Sequence, residues 1–351
     1  MIDKLIVYYY TYIILKTFRF EKCDIMTTKP TIRDVAQHAG VSTATVSHVL
    51  NGTRFVREDT RKRVLQSIQA LNYNPNIAAR VLKTGKKKII GFVVPNIRDE
   101  FFSTIIDECE QELSEQDFRL LIMSTHEKPQ REKACLNYLS GGAVDGILLA
   151  STIKNYKEIE EVLHGNLPVV CLDRSPMGCT CDIVRVNTDD ALEQGLLKLI
   201  ARGCEKIAFF EVHAYISTIA ERRTIYQSVM KAHGLESHLI SLSDITNTII
   251  DPYMNDIIQQ GFDAVVIPNN YTTISVLNYM LVNGLTVGKD IQMIAFQDTV
   301  RPSVLLHNAY LVKQPTQRMG REAARLMLKR LADPAMPVTV KELSASAEYR
   351  E

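Results

Sequence analysis

A chain of 351 residues, 46 % hydrophobic and 23 % charged, is long enough for two or three globular domains and too apolar to remain disordered. Its formal net charge of +1 hides a segregation: residues 28–88 carry twelve Lys/Arg against three Asp/Glu, a net of +9, residues 1–27 carry +1, and residues 89–351 carry −9. A basic head on an acidic body suits a phosphate-rich partner, because Lys and Arg that neutralise phosphates release counterions; a merely solvated surface does not explain the segregation. The seven cysteines (Cys23, Cys109, Cys135, Cys171, Cys179, Cys181, Cys204) are odd in number and form no C-x-x-C pair, which fits a reduced, cytosolic chain. Cys179-Thr180-Cys181 has no His or further Cys at ligand spacing, so no metal site is expected there, metal binding or redox sensing being the alternative. Near the N-terminus, LIVYYYTYIIL is an apolar run of eleven, too short to span a bilayer. Asp3 and the lack of a small-residue cleavage site argue against a secretory signal.

Residues 31–52, TIRDVAQHAGVSTATVSHVLNG, read as two short helices joined by a tight turn. Thr31 caps the first, with Asp34 near its positive end, and Ile32, Val35, Ala36 and Ala39 share one face. Gly40 supplies the turn and Ser42 caps a second helix with Val46, Val49 and Leu50 inward. Thr43, Ala44, Ser47 and His48 are left outside, as a recognition helix entering a major groove requires. An ordinary helical hairpin has the same pattern. Residues 58–71 add a third helix with Val64, Leu65, Ile68 and Leu71 inward, closing a core of about sixty residues that is only marginally stable alone. Asn72-Tyr73-Asn74-Pro75-Asn76 and a short helical stretch, IAARVLK, follow.

Here the chain resembles the lactose/galactose-repressor (LacI/GalR) family of bacterial transcription regulators. The residues that carry the resemblance are T-I-R-D-V-A-Q-H-A-G-V-S-T-A-T-V-S, V-L-N-G, T-R-K-R-V and L-N-Y-N-P-N-I-A-A-R-V-L, in order and without a gap. The resemblance implies that Thr43, Ala44 and His48 face base edges, while Thr31, Ser42, Ser47, Asn51 and Thr60 contact phosphate or cap helices. It also implies a hinge helix, residues 76–82, that folds only when two copies pair on DNA. There Leu82 is the minor-groove wedge, Ala79 lets the paired helices approach, and Asn76, Arg80 and Lys83 lie at the DNA. A plain linker is the alternative. Met26 stands just before TTKPTIRDVA, where the family usually begins, so residues 1–25 are expected to be an over-extended reading frame; a membrane-touching tail is the other reading.

From residue 89 onward, apolar runs alternate with amphipathic segments. IIGFVV (89–94), FRLLIM (118–123), VDGILL (144–149), PVVCL (168–172), KIAFFE (206–211), DAVVIP (263–268) and IQMIAF (291–296) read as buried parallel strands. The fold class is therefore an all-α helix-turn-helix head plus an α/β core of two doubly wound lobes, similar to the periplasmic-binding-protein-like core of the same family. The expected organisation is an extension at 1–27, a DNA-binding domain at 28–75, a hinge and linker at 76–88 and an effector-binding, dimerising core at 89–351. The resemblance implies crossings between lobes near 174–176, 312–316 and 331–336. These give an N-lobe of about 89–175 and 313–331 and a C-lobe of about 176–312 and 332–351.

Ligands of such folds bind at strand C-termini, between the lobes. Phe101 and Phe102 in NIRDEFF, Asp173 after PVVCL, Thr218 and Arg222 before and in AERRTIY, Asn269 after DAVVIP and Gln297 after IQMIAF are the effector candidates. Arg222 matches the family's ligand-binding arginine. Phe101 and Phe102 as packing residues, and Arg222 as an ion-pair partner, are the plainer readings. Asn269-Asn270 and Gln297-Asp298 stand where the family often has Asn-Asp and Asp-Asp or Asp-Asn, which favours a neutral or anionic effector. No G-x-S-x-G, Walker A, H-E-x-x-H or G-x-G-x-x-G motif suggests an enzyme, a cofactor or a metal. The reading is a cytoplasmic, nucleoid-associated transcription regulator, a repressor. It binds a pseudo-palindromic operator as a homodimer and answers to a sugar or related metabolite. A transport-type solute-binding protein is the competing class.

Overall fold

The computed structural model describes residues 30–52, 54–74, 85–242, 249–296 and 306–350. The chain divides into two units at Gly85. The side chain of Asn51 and residues Asn76, Ala79, Arg80, Leu82, Lys83 and Gln297 lie outside the described residues. Among the described residues no helix is long and apolar enough to cross a membrane.

The head holds α1 (Ile32–Ala39), α2 (Thr43–Asn51) and α3 (Glu58–Ala70). Asp34 accepts from the Thr31 backbone N–H at 2.7 Å and from its hydroxyl at 2.8 Å, which closes the start of α1. Gly40 ends α1 at φ 64°, a left-handed turn that favours glycine. Ser42 Oγ accepts from Thr45 N at 3.1 Å and so starts α2. Val35, Ala36, Ala39, Val46, Val64 and Tyr73 form the core. One expectation fails: Leu65 is 49 % exposed. One position is about 100° on a helix, so with Val64 at the centre of the buried face, 67, 68 and 71 follow it inward and 65 does not. Ser67 takes an inward place, donating to Arg63 O at 2.8 Å and pairing with His38 Nδ1 at 2.9 Å.

The second unit contains two six-stranded sheets. The first holds β1 (Ile89–Val94), β2 (Arg119–Ser124), β3 (Gly146–Leu149), β4 (Val169–Leu172), β5 (Asp182–Asn187) and β11 (Val340–Ser344), all parallel, in the order β2-β1-β3-β4-β5-β11. The second holds β6 (Ile207–Val212), β7 (His238–Leu242), β8 (Ala264–Ile267), β9 (Gln292–Phe296), β10 (Ala309–Lys313) and β12 (Ser346–Arg350), in the order β7-β6-β8-β9-β10-β12. Only β12 runs antiparallel. The helices are α4 (Glu100–Ser114), α5 (Pro129–Tyr138), α6 (Tyr156–Glu160), α7 (Asp189–Ala201), α8 (Ser217–Ala232), α9 (Asp251–Gln259), α10 (Asn270–Val282) and α11 (Thr316–Ala332).

Successive strand residues bury on opposite faces, so each sheet has a core on either side. In β1, Phe92 and Val94 face α4 and α11, while Val93 faces Leu136, Leu149 and Cys171. In β6, Phe210 and Phe209 divide likewise. Both sheets reverse their strand order between the first and third strands, β1/β3 and β6/β8. The carboxyl edges at those reversals are where such sheets present ligand sites.

The sheets revise the expected crossings. DIVRVN pairs with β4, Val170 opposite Asp182, so residues 176–187 belong to the first lobe and the chain crosses at Thr188. The buried Asp182 fixes that register by accepting from Arg330 Nε and Nη2, both at 2.8 Å, and from Thr339 N at 2.8 Å. The last crossing falls at Ala345, between β11 in one sheet and β12 in the other, rather than at 331–336. The middle one follows β10, within the expected span.

Helices α4 and α11 pack closely at Gly320. A Cβ there would stand 2.7 Å from Ile105 O and 2.7 Å from Glu108 Cβ. Gly320→Ala therefore forces the two helices apart and costs about 1–3 kcal/mol. A urea midpoint equal to that of the wild type would contradict this packing.

Candidate functional site

In the head, the N-terminus of α2 presents Ser42, Thr43 and Ala44 to solvent, with Ser47 and His48 half-buried one turn on. Thr31 is exposed at the start of α1 and Thr60 is half-buried near the start of α3. The Thr31 backbone N–H and then its hydroxyl hold the Asp34 carboxyl below its ordinary pKa, so the cap is ionised at neutral pH. Arg33, Arg54, Arg57, Arg61, Lys62 and Arg63 are all exposed, so the positive charge of the described residues of this unit lies on their surface.

In the second unit, Phe101, Phe102, Asp173, Thr218, Arg222 and Asn269 line one cavity of about 50 Å³ between the lobes. Asp99, from the candidate loop NIRDEFF, and Asn270 also line it, as do Glu127, Arg174, His213 and Gln314, which sequence reasoning had not singled out. Most polar members follow a strand C-terminus or open a helix, and Arg222 projects from the second turn of α8. Asp99 caps α4 by accepting from Phe101 N at 3.1 Å. Phe101 and Phe102, in edge-to-face contact at 4.9 Å, form the apolar wall. Asp173 (φ 63°) and His213 (φ 51°) adopt the left-handed conformation where β4 and β6 end, a strained backbone for residues other than glycine.

The charges are arranged in layers. Arg174 grips Glu127 with two bonds, Nη1 to Oε2 at 2.8 Å and Nη2 to Oε1 at 3.0 Å, and its Nε lies 3.7 Å from Asp173 Oδ2. Burial opposes the Arg174 charge, but Glu127 and then Asp173 outweigh it, so the guanidinium stays protonated. Arg222 donates Nη1 to Pro268 O at 2.5 Å and Nη2 to Gln314 Oε1 at 3.0 Å, with its guanidinium 4.1 Å from the Phe296 ring centre. Burial raises the pKa of Asp99, against the opposing bond from Asn270. Burial likewise raises that of Asp173, against Arg174 and Arg222.

Two contacts bridge the lobes here: Asn270 Nδ2 donates to Asp99 Oδ1 at 3.2 Å, and Ser175 N donates to Ser217 Oγ at 3.2 Å. Asn269 Oδ1 caps α10 by accepting from Thr272 N at 2.8 Å. The other amide atoms are left over. Asn269 Nδ2 and Asn270 Oδ1 are buried without a hydrogen-bond partner, one a donor and one an acceptor. Arg174 Nε, in the same lining, is a third such atom, and a water or a bound ligand in the cavity can serve all three.

Comparison with known proteins agrees with this layout. Residues 87–342 match the family described as periplasmic binding proteins and sugar binding domain of LacI family, and residues 31–76 match bacterial regulatory proteins, lacI family. The chain belongs to the LacI family. It is 31 % identical over 320 residues to the ribose operon repressor of Bacillus subtilis (strain 168), an alignment covering 88 % of this chain and 96 % of that one. The lac repressor dimer bound to operator and the anti-inducer ONPF has the same fold, with a TM-score of 0.77 at 20 % identity over 91 % of this chain and 97 % of that one. The complex of the transcriptional regulator CelR with cellobiose superposes with a TM-score of 0.64 at 24 % identity over 92 % and 99 %. The LacI-family chain is thus a transcription regulator with a helix-turn-helix DNA-binding head and an effector-binding core, not an enzyme. A head joined to such a core disfavours the transport reading.

The raised pKa of Asp173 has a sign that can be measured. Its carboxyl ionises more readily in the unfolded chain than in the folded one, so ionisation costs the fold stability. That cost is absent below the unfolded pKa and complete above the folded one. Asp173→Asn should therefore gain stability relative to the wild type as pH rises from about 4 towards 7. A difference that does not change with pH, or that shrinks, would contradict the assignment.

Proposed function

We propose that this LacI-family regulator represses transcription as a homodimer, each head reading one half of a pseudo-palindromic operator, under the control of a neutral, hydroxyl-rich effector held between the lobes. It acts in the cytoplasm, on the nucleoid. The observation that carries the effector reading is the unpartnered pair Asn269 Nδ2 and Asn270 Oδ1 beside Arg222. A sugar hydroxyl both donates and accepts and so suits a donor and an acceptor left unpaired. Asp99, Glu127 and Asp173 set three carboxyls against the guanidiniums of Arg174 and Arg222, a balance that favours no strong net charge on the ligand. Phe101 and Phe102 give a ring face to pack against. The sugar operon named for the Bacillus relative and the disaccharide named for the CelR complex point the same way. The cavity of about 50 Å³ holds about one or two waters, so binding a sugar requires the lobes to part at the Asn270–Asp99 and Ser175–Ser217 contacts.

On the DNA side, Thr43, Ala44 and His48 read bases, while Thr31, Ser42, Ser47, Asn51 and Thr60 position the head on phosphates. Residues 76–83 pair over the operator centre, with Leu82 entering the minor groove, Ala79 at the contact between the two copies and Asn76, Arg80 and Lys83 beside the backbone. Gln297 joins the effector site.

Two variants separate the head from the cleft. The family commonly carries arginine at the position of His48, and histidine lacks the two-pronged grip on guanine. Operator selection with wild type and His48→Arg should therefore return half-sites that differ at one step; identical sequences remove His48 from base reading. Arg222→Ala should lose at least about 2 kcal/mol of effector binding, roughly thirtyfold, with operator affinity unchanged. Unchanged effector affinity by calorimetry would move the effector elsewhere.

A further inference from the structure

Three cysteines outside the lining of the effector cavity meet on one side of the first sheet. Cys171 belongs to β4 and is fully buried, while Cys179 and Cys181 lie half-buried at the end of the loop that leads into β5. Their sulfurs stand 3.3 Å (Cys179–Cys181), 3.4 Å (Cys181–Cys171) and 3.7 Å (Cys179–Cys171) apart. Parallel pairing of β4 with β5 sets Cys171 opposite Ile183, which brings Cys179 and Cys181 back to it although the strand lies eight residues earlier. Spacing in the sequence alone conceals this third thiol.

The loop is held by backbone bonds besides those of the thiols. Met177 N donates to Lys154 O at 2.8 Å, Tyr156 N to Met177 O at 3.0 Å and Cys179 N to Pro176 O at 3.1 Å. Thr180 points the other way and donates to Glu160 at 3.0 Å. The triad is therefore preorganised. These separations exceed a disulfide bond of about 2.05 Å. An ion at about 2.3 Å from each of three sulfurs sets them about 3.8–4.0 Å apart. Moving the two loop cysteines outward by a few tenths of an ångström opens that space.

We propose that Cys171, Cys179 and Cys181 form a three-thiolate site for a single soft metal ion of the Cu(I) type. All three donors are sulfur, which disfavours hard ions such as Mg²⁺ and Ca²⁺. Among the described residues no His, Asp or Glu shares the cluster. The nearest carboxylate in sequence, Asp182, is committed to Arg330 and Thr339. A structural Zn²⁺ prefers four protein ligands, so three sulfurs alone favour a soft ion content with three. The shell is mostly apolar, with Leu149, Ile153, Ile159 and Val169 packed around the cysteines and the Tyr156 hydroxyl hydrogen-bonded to Cys181. One Cu(I) offsets one of the three thiolate charges, so the site keeps a net charge of −2 once all three protons have left, and the shell shields the bound ion from water and oxidants. Binding releases the thiol protons to solvent as the ion takes their place. The same loop begins with Asp173 and Arg174 of the cleft, so an ion at its far end would stiffen a segment that lines the effector cavity.

The test uses the full chain, reduced and free of oxygen, with all seven thiols confirmed by titration. Cu(I) is titrated against a chromogenic chelator, with Zn(II) as the competing ion. The wild type should take up one Cu(I) per chain and keep it in the presence of Zn(II). Losing an outer partner of a metal ligand costs about 10–100-fold in affinity, so removing two ligands in Cys179→Ser with Cys181→Ser should cost at least about 100-fold. Cys135→Ala, altered in the same apolar core but outside the triad, should bind as the wild type does; circular dichroism reports whether each variant is folded. Uptake well below one ion per chain, equal uptake by the double variant, equal loss in Cys135→Ala, or displacement by Zn(II) would each overturn the proposal.

Discussion

Burying an amide nitrogen or oxygen without a partner costs about 1–3 kcal/mol, and the cleft contains both, as Asn269 Nδ2 and Asn270 Oδ1. They sit where the second sheet reverses its strand order, at the end of β8. Opposite them, across the lobes, stand Asp99 and the Glu127–Arg174–Asp173 group. The closed arrangement is held by a few polar contacts and leaves some polar atoms unmet. A molecule that supplies the missing hydrogen bonds gains what the protein alone forgoes, and the proposed function rests on this preference for ligands that both donate and accept.

The topology explains why that cleft can answer a ligand. The chain passes between the lobes three times, at Thr188, after β10 and at Ala345. Three strands of backbone tether the lobes at one edge and leave the opposite edge free to open. Helix α11 locks onto α4 through Gly320, and Asp182 ties β5 to Arg330 and Thr339. These contacts brace each lobe internally, and between the lobes lie the polar bridges Asn270–Asp99 and Ser175–Ser217. Hinge motions of this kind are the usual way a two-lobed core turns ligand binding into a change of shape.

Much of this was legible in the sequence where one residue type has one physical job. Thr31 with Asp34, Gly40 and Ser42 marked the ends of the first two helices because caps and left-handed turns admit few alternatives. The central strands were legible because burial on both faces makes them continuously apolar, as in β1 and β8. Strands β5, β7, β10, β11 and β12 were missed. The polar residues of DIVRVN, VKELS and SAEYR carry no such run, and missing β5 and β11 displaced two of the three crossings. In the cleft, Asp173 and Asn269 were found at the ends of recognised strands, whereas Glu127 and His213 follow the equally recognised β2 and β6 without a motif to mark them, and Gln314 follows β10, which was missed. Arg174 stands next to Asp173 and Asp99 begins a helix, two cues that were available. The cysteine triad was hidden for the same reason as β5, since only pairing with that strand returns Cys179 and Cys181 to Cys171.

The central claim is that the unmet amide atoms of the cleft select a neutral, hydroxyl-rich ligand. The most direct measurement is thermal unfolding of the full chain against four chemical classes at matched concentration: neutral pentoses and hexoses, sugar acids, sugar phosphates and purine bases. A ligand present at about 100 times its Kd stabilises the native state by about 2.7 kcal/mol, enough to raise the melting temperature by a few degrees. The account predicts that a neutral sugar gives this rise and that charged analogues of the same sugar give less. A rise produced only by a phosphate ester or a purine base would contradict it.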